Sequence, residues 1–525
     1  MLSSDFKTPG VYINEINAFS NQVVPVVTAV PAFIGYTPQA LYNGRSCANV
    51  PTRITSFADF KTIFCLPDVA APPSPAKQYA PQYYLVGQDN VPVTTTAINI
   101  NGVNYAVLPD PNTIYYLYNS VRLFYQNGGG DAYIVSVGAY GAASKQPMAL
   151  DAQIVNPNVK LADLLSGLAL LKKESEPTMY ICPEATLLPV ADNGTLMQAM
   201  LQQCMSTQSA ISVFDIIGAR SPDPVAYTND IATFRDNTGT VGLNYGTAYY
   251  PFVGTNIMQS NELTYTNLFG GDVQQLLPLL STADRPNAAA ESIIGNIIAP
   301  KGAPLTEAQN HAALTAASPV YSQIMQILLT EANMLPPSGG MAGVMATVDM
   351  TKGVWEAPAN TSIVGAVSLP INLSDTQQAD LNVDAKTGKS INAIRYFNNY
   401  GILVWGARTL DGNSDDWRYL QVRRTMTMIE QSCKLAARNY VFQPNDKNTW
   451  ETVKAAMVSF LTQIWKEGGL QGASAADAFS VDCGLGTTMT ADDIQNGLMR
   501  ITIKVAVVRP AEFIVITFQQ QMQMS

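Results

Sequence analysis

The stretch Tyr125-Gln-Asn-Gly-Gly-Gly-Asp-Ala-Tyr-Ile-Val-Ser-Val137 decides the reading of the fold. Upstream of it, residues 113–126 form a helix pattern with an aromatic face. The run Asn127–Gly130 stops that helix, because glycine takes the left-handed C-cap conformation at no steric cost. Residues 132–137 then read as a β-prone apolar strand. A phosphate-binding loop needs the opposite order, a strand first and Lys-Ser/Thr opening a helix afterwards. The glycine run therefore predicts a cap and not a nucleotide cradle. Cys483-Gly-Leu-Gly486 fails in the same way, since no helix-opening glycine pattern continues it.

From this strand to about Val253, strands and helices alternate. The pattern gives helix 161–173, strand 179–182, helix 195–205, strand 211–217 and strand 248–253. That rhythm predicts βαβ units in an open, largely parallel sheet. On the N-terminal side, residues 8–16 (TPGVYINEI) are short and extended, and 23–36 (VVPVVTAVPAFIGY) suit a strand entering a core. Residues 68–81 read as a Pro/Ala-rich loop. Helix 320–335 stops at Pro336-Pro337, an expected domain boundary. Beyond it, 343–349 and 401–407 are expected to be β. Helix 416–441 follows, with Val422, Met426, Ile429, Cys433, Ala436 and Tyr440 in one stripe. Helix 449–467 carries Trp450, Val453, Met457, Phe460, Leu461 and Ile464 on one face. Thr490-Ala-Asp-Asp493 opens a short helix like a capping box, and Ile501, Ile503, Val505 and Val507 alternate as a strand. The fold class is α+β and multidomain: an N-terminal arm (1–22), an α/β region (23–337), a C-terminal α+β domain (338–508) and a C-terminal arm (509–525).

Bulk properties narrow the function. At 525 residues the chain exceeds one hydrophobic core. Charged residues make up only 13%, about half the share of roughly 25% in typical soluble domains. Such a shortfall hints at surface covered by copies of the same chain, although secreted proteins share it. Twelve basic and twelve acidic residues lie from Gly401 onward, so the whole net charge of −10 resides in the first 400 residues. An acidic chain without a basic block argues against nucleic acid as a partner. The expected chain lacks a signal peptide and any membrane-spanning run. Its six cysteines are scattered without CxxC pairs, which predicts free thiols, mostly buried, in a reducing cytosol.

Candidate sites are few. His311 is the single histidine, which removes His-dependent triads and most zinc or iron sites, and a surface position is expected. No catalytic or metal-ligating set and no cofactor site emerges. Asp215, at the end of a predicted parallel strand, points where such sheets place active sites, with Glu184, Tyr249 and Pro251 near the same edge. No nucleophile–base pair accompanies it. On helix 416–441, Arg423, Lys434 and Arg438 flank the apolar stripe and Glu430 can pair with Lys434. They read either as a solvated face or as a basic contact surface. The termini carry more. A lone strand built on Val11, Tyr12, Ile13 and Ile16 leaves its backbone unpaired in water. Phe513, Ile514, Val515, Ile516 and Phe518 form a segment apolar on both faces, which needs a sheet and two covering layers. Both pair within their own subunit or are donated to neighbours by β-augmentation.

Four stretches together resemble the tail-sheath proteins of contractile phage tails, R-type bacteriocins and phage-tail-like injection particles. They are 8–16 with 27–36, 125–137, 337–360 (PSGGMAGVMATVDMTKGVWEAPAN) and 401 to the end, the last including Trp405–Thr409, Tyr419–Arg424 and Trp465–Ala473. The start is most similar to sheaths of antifeeding-type extracellular particles. Residues 140–333 match only in character. The resemblance implies stacked hexameric rings around an inner tube and a contraction that drives the tube through a target membrane. It also implies partners: other copies of the chain, the tube protein, baseplate and terminal cap proteins, and sheath paralogues. The 338–508 domain would lie inside against the tube, where Arg423, Lys434 and Arg438 are candidate contacts. The α/β region would face outward, and both arms would cross to neighbours. Such a protein is assembled in the bacterial cytoplasm and needs neither nucleic acid nor membrane insertion. The competing readings are a soluble α/β enzyme using Asp215 and a non-contractile coat protein with the same strand exchange.

Overall fold

The apolar run after Val23 forms strand β1 (Pro31–Thr37), buried at all seven positions, as a central parallel strand covered on both faces must be. The structure is a computed structural model that describes residues 22–66 and 79–515. The other main strands are β2 (Thr52–Ile54), β3 (Ala132–Ala139), β4 (Met179–Ile181), β5 (Ile211–Asp215), β6 (Gly246–Tyr250), β7 (Asn392–Phe397), β8 (Gly401–Val404), β9 (Phe479–Cys483) and β10 (Ile501–Val505). The helices that matter below are α1 (Leu117–Gln126), α2 (Leu161–Leu170), α3 (Val190–Thr207), α4 (Tyr227–Asn237), α5 (Pro319–Ala332), α6 (Ser338–Lys352), α7 (Leu420–Ala437) and α8 (Lys447–Lys466).

Strands β1 to β8 make one sheet in the order β8-β7-β6-β5-β4-β1-β3-β2. The inner pairs β7–β6, β6–β5, β5–β4, β4–β1 and β1–β3 are all parallel. Both edges turn antiparallel, β2 against β3 and β8 against β7. This is the predicted βαβ sheet, with additions from both sides of the alternating segment. Strands β1 and β2 come from before it, and the β7–β8 hairpin comes from after the expected boundary at Pro336-Pro337.

Residues 343–349, expected to be β, lie inside helix α6. The reason is close packing on α1. A Cβ at Gly339 would sit 2.5 Å from the Ser120 carbonyl oxygen, and one at Gly343 would sit 2.6 Å from that of Phe124. Glycine's absent side chain lets the two helices approach, and that gain outweighs the weak helix propensity of Gly-Gly-x-x-Gly. Asn127 caps α1 as expected, with Gly128 at φ +83°.

The chain divides into two compact units. Of the described residues, one comprises those within Val27–Met428 together with 509–515, and the other comprises Ile429–Val508 together with 22–26. The expected split at 337/338 does not coincide with this division. Residues 338–428 join the large unit because α6 packs on α1 and β7 extends the main sheet. In the small unit, β9 pairs antiparallel with β10 over five residues, from Phe479↔Val505 to Cys483↔Ile501. Helix α8 supplies buried Val453, Met457, Phe460, Leu461 and Ile464. Thr490 caps the short helix Ala491–Gln495 through a capping box, as its sequence predicts.

All six cysteines are free thiols, four of them buried. Among the described residues, no helix is long and apolar enough to cross a membrane.

Candidate functional site

The two acids at the carboxyl edge of the parallel sheet are structural caps. Asp215 ends β5 buried, and its carboxylate accepts hydrogen bonds from the Ser338 N–H at 2.9 Å and from the Ser338 hydroxyl. It thereby holds the N-terminus of α6, where unpaired N–H groups favour an anion. Glu184, fully buried, accepts from the Leu117 N–H at 2.9 Å and caps α1 in the same way. A Cβ on Gly35 would come 2.3 Å from Glu184 Oε2, so β1 must carry glycine there. Burial pushes Glu184 up to about 8 and Asp215 up to about 7, against the lowering effect of the N–H donors. Tyr249 and Pro251 are buried nearby.

A cavity of about 450 Å³ does open beside this edge, lined by Thr186, Ile217, Arg220, Asp223, Asp230 and Glu331 among others. Asp215 is not one of its walls. Arg220 is neutralised by Glu331 at 3.0 Å and by the carbonyls of Glu331 and Met334. Burial, then Asp223, raises Asp230 to about 6. Two wall hydroxyls, Thr94 and Thr96, donate to the carboxylates of Asp151 and Glu331. His311 lies on the helix Glu307–Ala317, half-buried rather than on the surface, with Nδ1 2.8 Å from the Tyr321 hydroxyl. Among the described residues, no cluster of three His, Cys, Asp or Glu side chains is placed to hold a metal.

The terminal segments present a different picture. Val11, Tyr12, Ile13, Ile16, Ile516 and Phe518 lie outside the described residues. Phe513, Ile514 and Val515 are 72%, 78% and 89% exposed and belong to no strand. Just before them, Glu512 is fastened to the large unit. It accepts from Arg408 Nε at 2.9 Å and Arg408 Nη2 at 2.6 Å, and from Asn382 Nδ2 at 3.0 Å. Burial raises the Glu512 carboxyl and the Arg408 bonds outweigh it, so the group sits below its ordinary value. At the other terminus, the Thr28 hydroxyl donates to Asp349 on α6 at 2.6 Å. Asp349 also binds Arg424 on α7 at 2.9 Å, both side chains under 8% exposed.

The three basic residues singled out in the sequence, Arg423, Lys434 and Arg438, differ in exposure. Arg423 is 2% exposed, with its guanidinium over Trp417 at 4.3 Å and over Tyr245 at 4.8 Å. Aromatic stacking buries it, so in this subunit it presents no face to a partner. Lys434 and Arg438, in the small unit, are exposed, beside exposed Leu435, Val441 and Phe442. The sequence reading missed Arg408, Glu512, Asp349 and Arg424. The available signal was Glu512 itself, an isolated acid inside an apolar tail.

In the small unit, β9 and β10 form a two-stranded sheet with no further strand on either side among the described residues. Phe479, Val481 and Cys483 are buried, whereas Ile501, Ile503 and Val505 are only half-buried.

Residues 413–521 match the family described as phage tail sheath C-terminal domain. The tail sheath protein of Burkholderia phage BcepMu is 29% identical over 151 residues, covering 27% of this chain and 31% of that protein. The contracted helical sheath of the anti-feeding prophage is 26% identical over 98% of this chain and 99% of that chain, with a TM-score of 0.57. The contracted PVC sheath of an extracellular contractile injection system, at 23% identity, shares the fold over 99% of both chains with a TM-score of 0.58. Residues 413–521 thus carry a phage tail sheath C-terminal domain, and the chain along its whole length is similar to sheath proteins of contractile injection systems.

Proposed function

We propose that this chain is the structural subunit of a contractile sheath, polymerising as stacked hexameric rings around an inner tube and shortening to drive that tube through a target membrane. The observation that carries the reading is the pairing of donor and acceptor. Phe513–Val515 expose apolar side chains without a ladder, and β9–β10 is a two-stranded sheet with no third strand among the described residues. An isolated two-stranded sheet is marginal in water, and an added strand supplies main-chain hydrogen bonds and apolar cover together. The segments around 11–16 and 513–518 of neighbouring copies are the strands that complete it. Work is then stored as a difference between two packings of one lattice, with no chemical step required.

Lys434 and Arg438 form the proposed contact to an acidic tube. Further partners are the baseplate and terminal cap proteins, with assembly in the bacterial cytoplasm. Electron microscopy of the purified chain, with and without the tube protein, tests the proposal. Striated tubes that occur in a long and a short form are expected. Monodisperse particles under all conditions would overturn it, and tubes of a single length would point to a non-contractile coat.

A further inference from the structure

Two buried arginine–carboxylate pairs of the large unit sit close to the two terminal segments of the chain. Near the N-terminus, Thr28 donates to Asp349, and the Arg424 guanidinium holds the same carboxylate and reaches the Thr28 carbonyl oxygen at 3.4 Å. Near the C-terminus, Glu512 is held by Arg408, Asn382 and the Tyr419 hydroxyl at 3.3 Å. The Arg408 side chain is 4% exposed, and its remaining N–H groups reach the carbonyls of Asn382 and Gly412. Both pairs are multidentate, which fixes direction as well as strength. Beyond Glu512 the described chain, Phe513–Val515, is apolar and exposed.

We propose that Arg424–Asp349 and Arg408–Glu512 are anchors that fix the roots of the terminal segments on the large unit, so that tension carried between copies of this chain enters each subunit at these two arginines. The inference rests on the sheath reading above. Its physical basis is preorganisation. A segment held at its root is presented in one direction, and the entropy of ordering it is not lost again when it docks on a neighbour. A free root would spread Phe513–Val515 over many conformations that docking must then give up, and a tenfold change in an equilibrium constant corresponds to about 1.4 kcal/mol.

The test measures the critical concentration for polymerisation of the full-length chain by sedimentation, alongside the thermal midpoint of the unpolymerised chain. Glu512→Gln is the direct variant. Arg408→Gln with Glu512→Gln is the second, because it leaves no uncompensated buried charge and keeps the fold testable. Asp375→Asn, which breaks the Arg395–Asp375 pair far in sequence from either terminus, is the control. A chain lacking residues 516–525 separates this inference from the reading beneath it. Both anchor variants are expected to raise the critical concentration about tenfold or more while the double variant keeps its thermal midpoint and the control is unchanged. A merely structural role would lower the midpoint and leave the critical concentration of the folded protein alone, and that result overturns the inference. Normal polymerisation of both anchor variants when the truncated chain fails also overturns it and leaves strand exchange standing. Normal polymerisation of the truncated chain overturns both.

Discussion

The two units of this chain solve the same problem differently. In the large unit, every inner strand of the eight-stranded sheet has a neighbour on each side, and β1 is buried throughout. In the small unit, β9 and β10 have only each other among the described residues, and β10 is nowhere fully buried. One sheet is finished by its own chain. The other has two strands only among the described residues, a liability in a free monomer and, on the proposed reading, an asset in a polymer that adds strands to it.

The largest effect expected on the self-sufficient side is at Phe124. It is fully buried on α1, with its ring 5.7 Å from that of Phe33 on β1. Phe124→Ala should cost about 3–5 kcal/mol, read by guanidinium unfolding. A loss below about 1 kcal/mol would mean that the large unit does not depend on its own core. Next comes Gly339→Ala, which drives a methyl against the Ser120 backbone and should cost about 1–3 kcal/mol by the same measurement.

Glu184 and Asp215 sharpen the comparison through pH. Both hold their protons more tightly folded than unfolded, since burial raises them to about 8 and about 7. Their contribution is fully present below about pH 4, the unfolded value, and is lost as pH rises through 7 to 8. Stability should fall across that window by at most about 1.4 kcal/mol per pH unit for each carboxyl. Glu184→Gln should flatten the fall in a pH series of thermal melts. An unchanged slope would show that Glu184 is not a source of it.

On the unfinished side the monomer should hardly register the change. Ile503→Ser, at a half-buried position of β10, should cost no more than about 1 kcal/mol in the isolated chain and yet block polymerisation seen by electron microscopy. Polymerisation at wild-type concentration would mean that β10 accepts no strand. The smallest change in stability belongs to Lys434→Glu with Arg438→Glu, within about 0.5 kcal/mol. The proposed outcome is sheath that polymerises without retaining its tube. Unchanged co-sedimentation of the tube protein returns these residues to the role of a solvated face.

Reading along the chain served best where a pattern is local. The cap at Asn127–Gly130, the alternation from β3 to β6, the stripe of α8 and the capping box at Thr490 depend on neighbours within a few residues, so their sequence spacing carries them. The helix at 338–352 was not legible. Its glycines argue against a helix until α1 lies alongside, and only then does the missing Cβ become a gain. The buried arginines were misjudged for a related reason. Arg423 looked like surface charge on an amphipathic helix, because nothing in the spacing announces Trp417 and Tyr245 stacked on its guanidinium.

The sequence by itself determined the parallel α/β rhythm, the scarcity of charge, the absence of a His-based site and the apolar character of both termini. Those follow from composition and from periods of two and 3.6 residues, which any segment carries with it. Tertiary structure decided that Asp215 and Glu184 cap helices instead of facing a substrate. It also placed Asp349 with Arg424 and Glu512 with Arg408, 75 and 104 residues apart in the chain. Pairing over such distances depends on how the sheet and helices close around one another, and no local pattern encodes that closure.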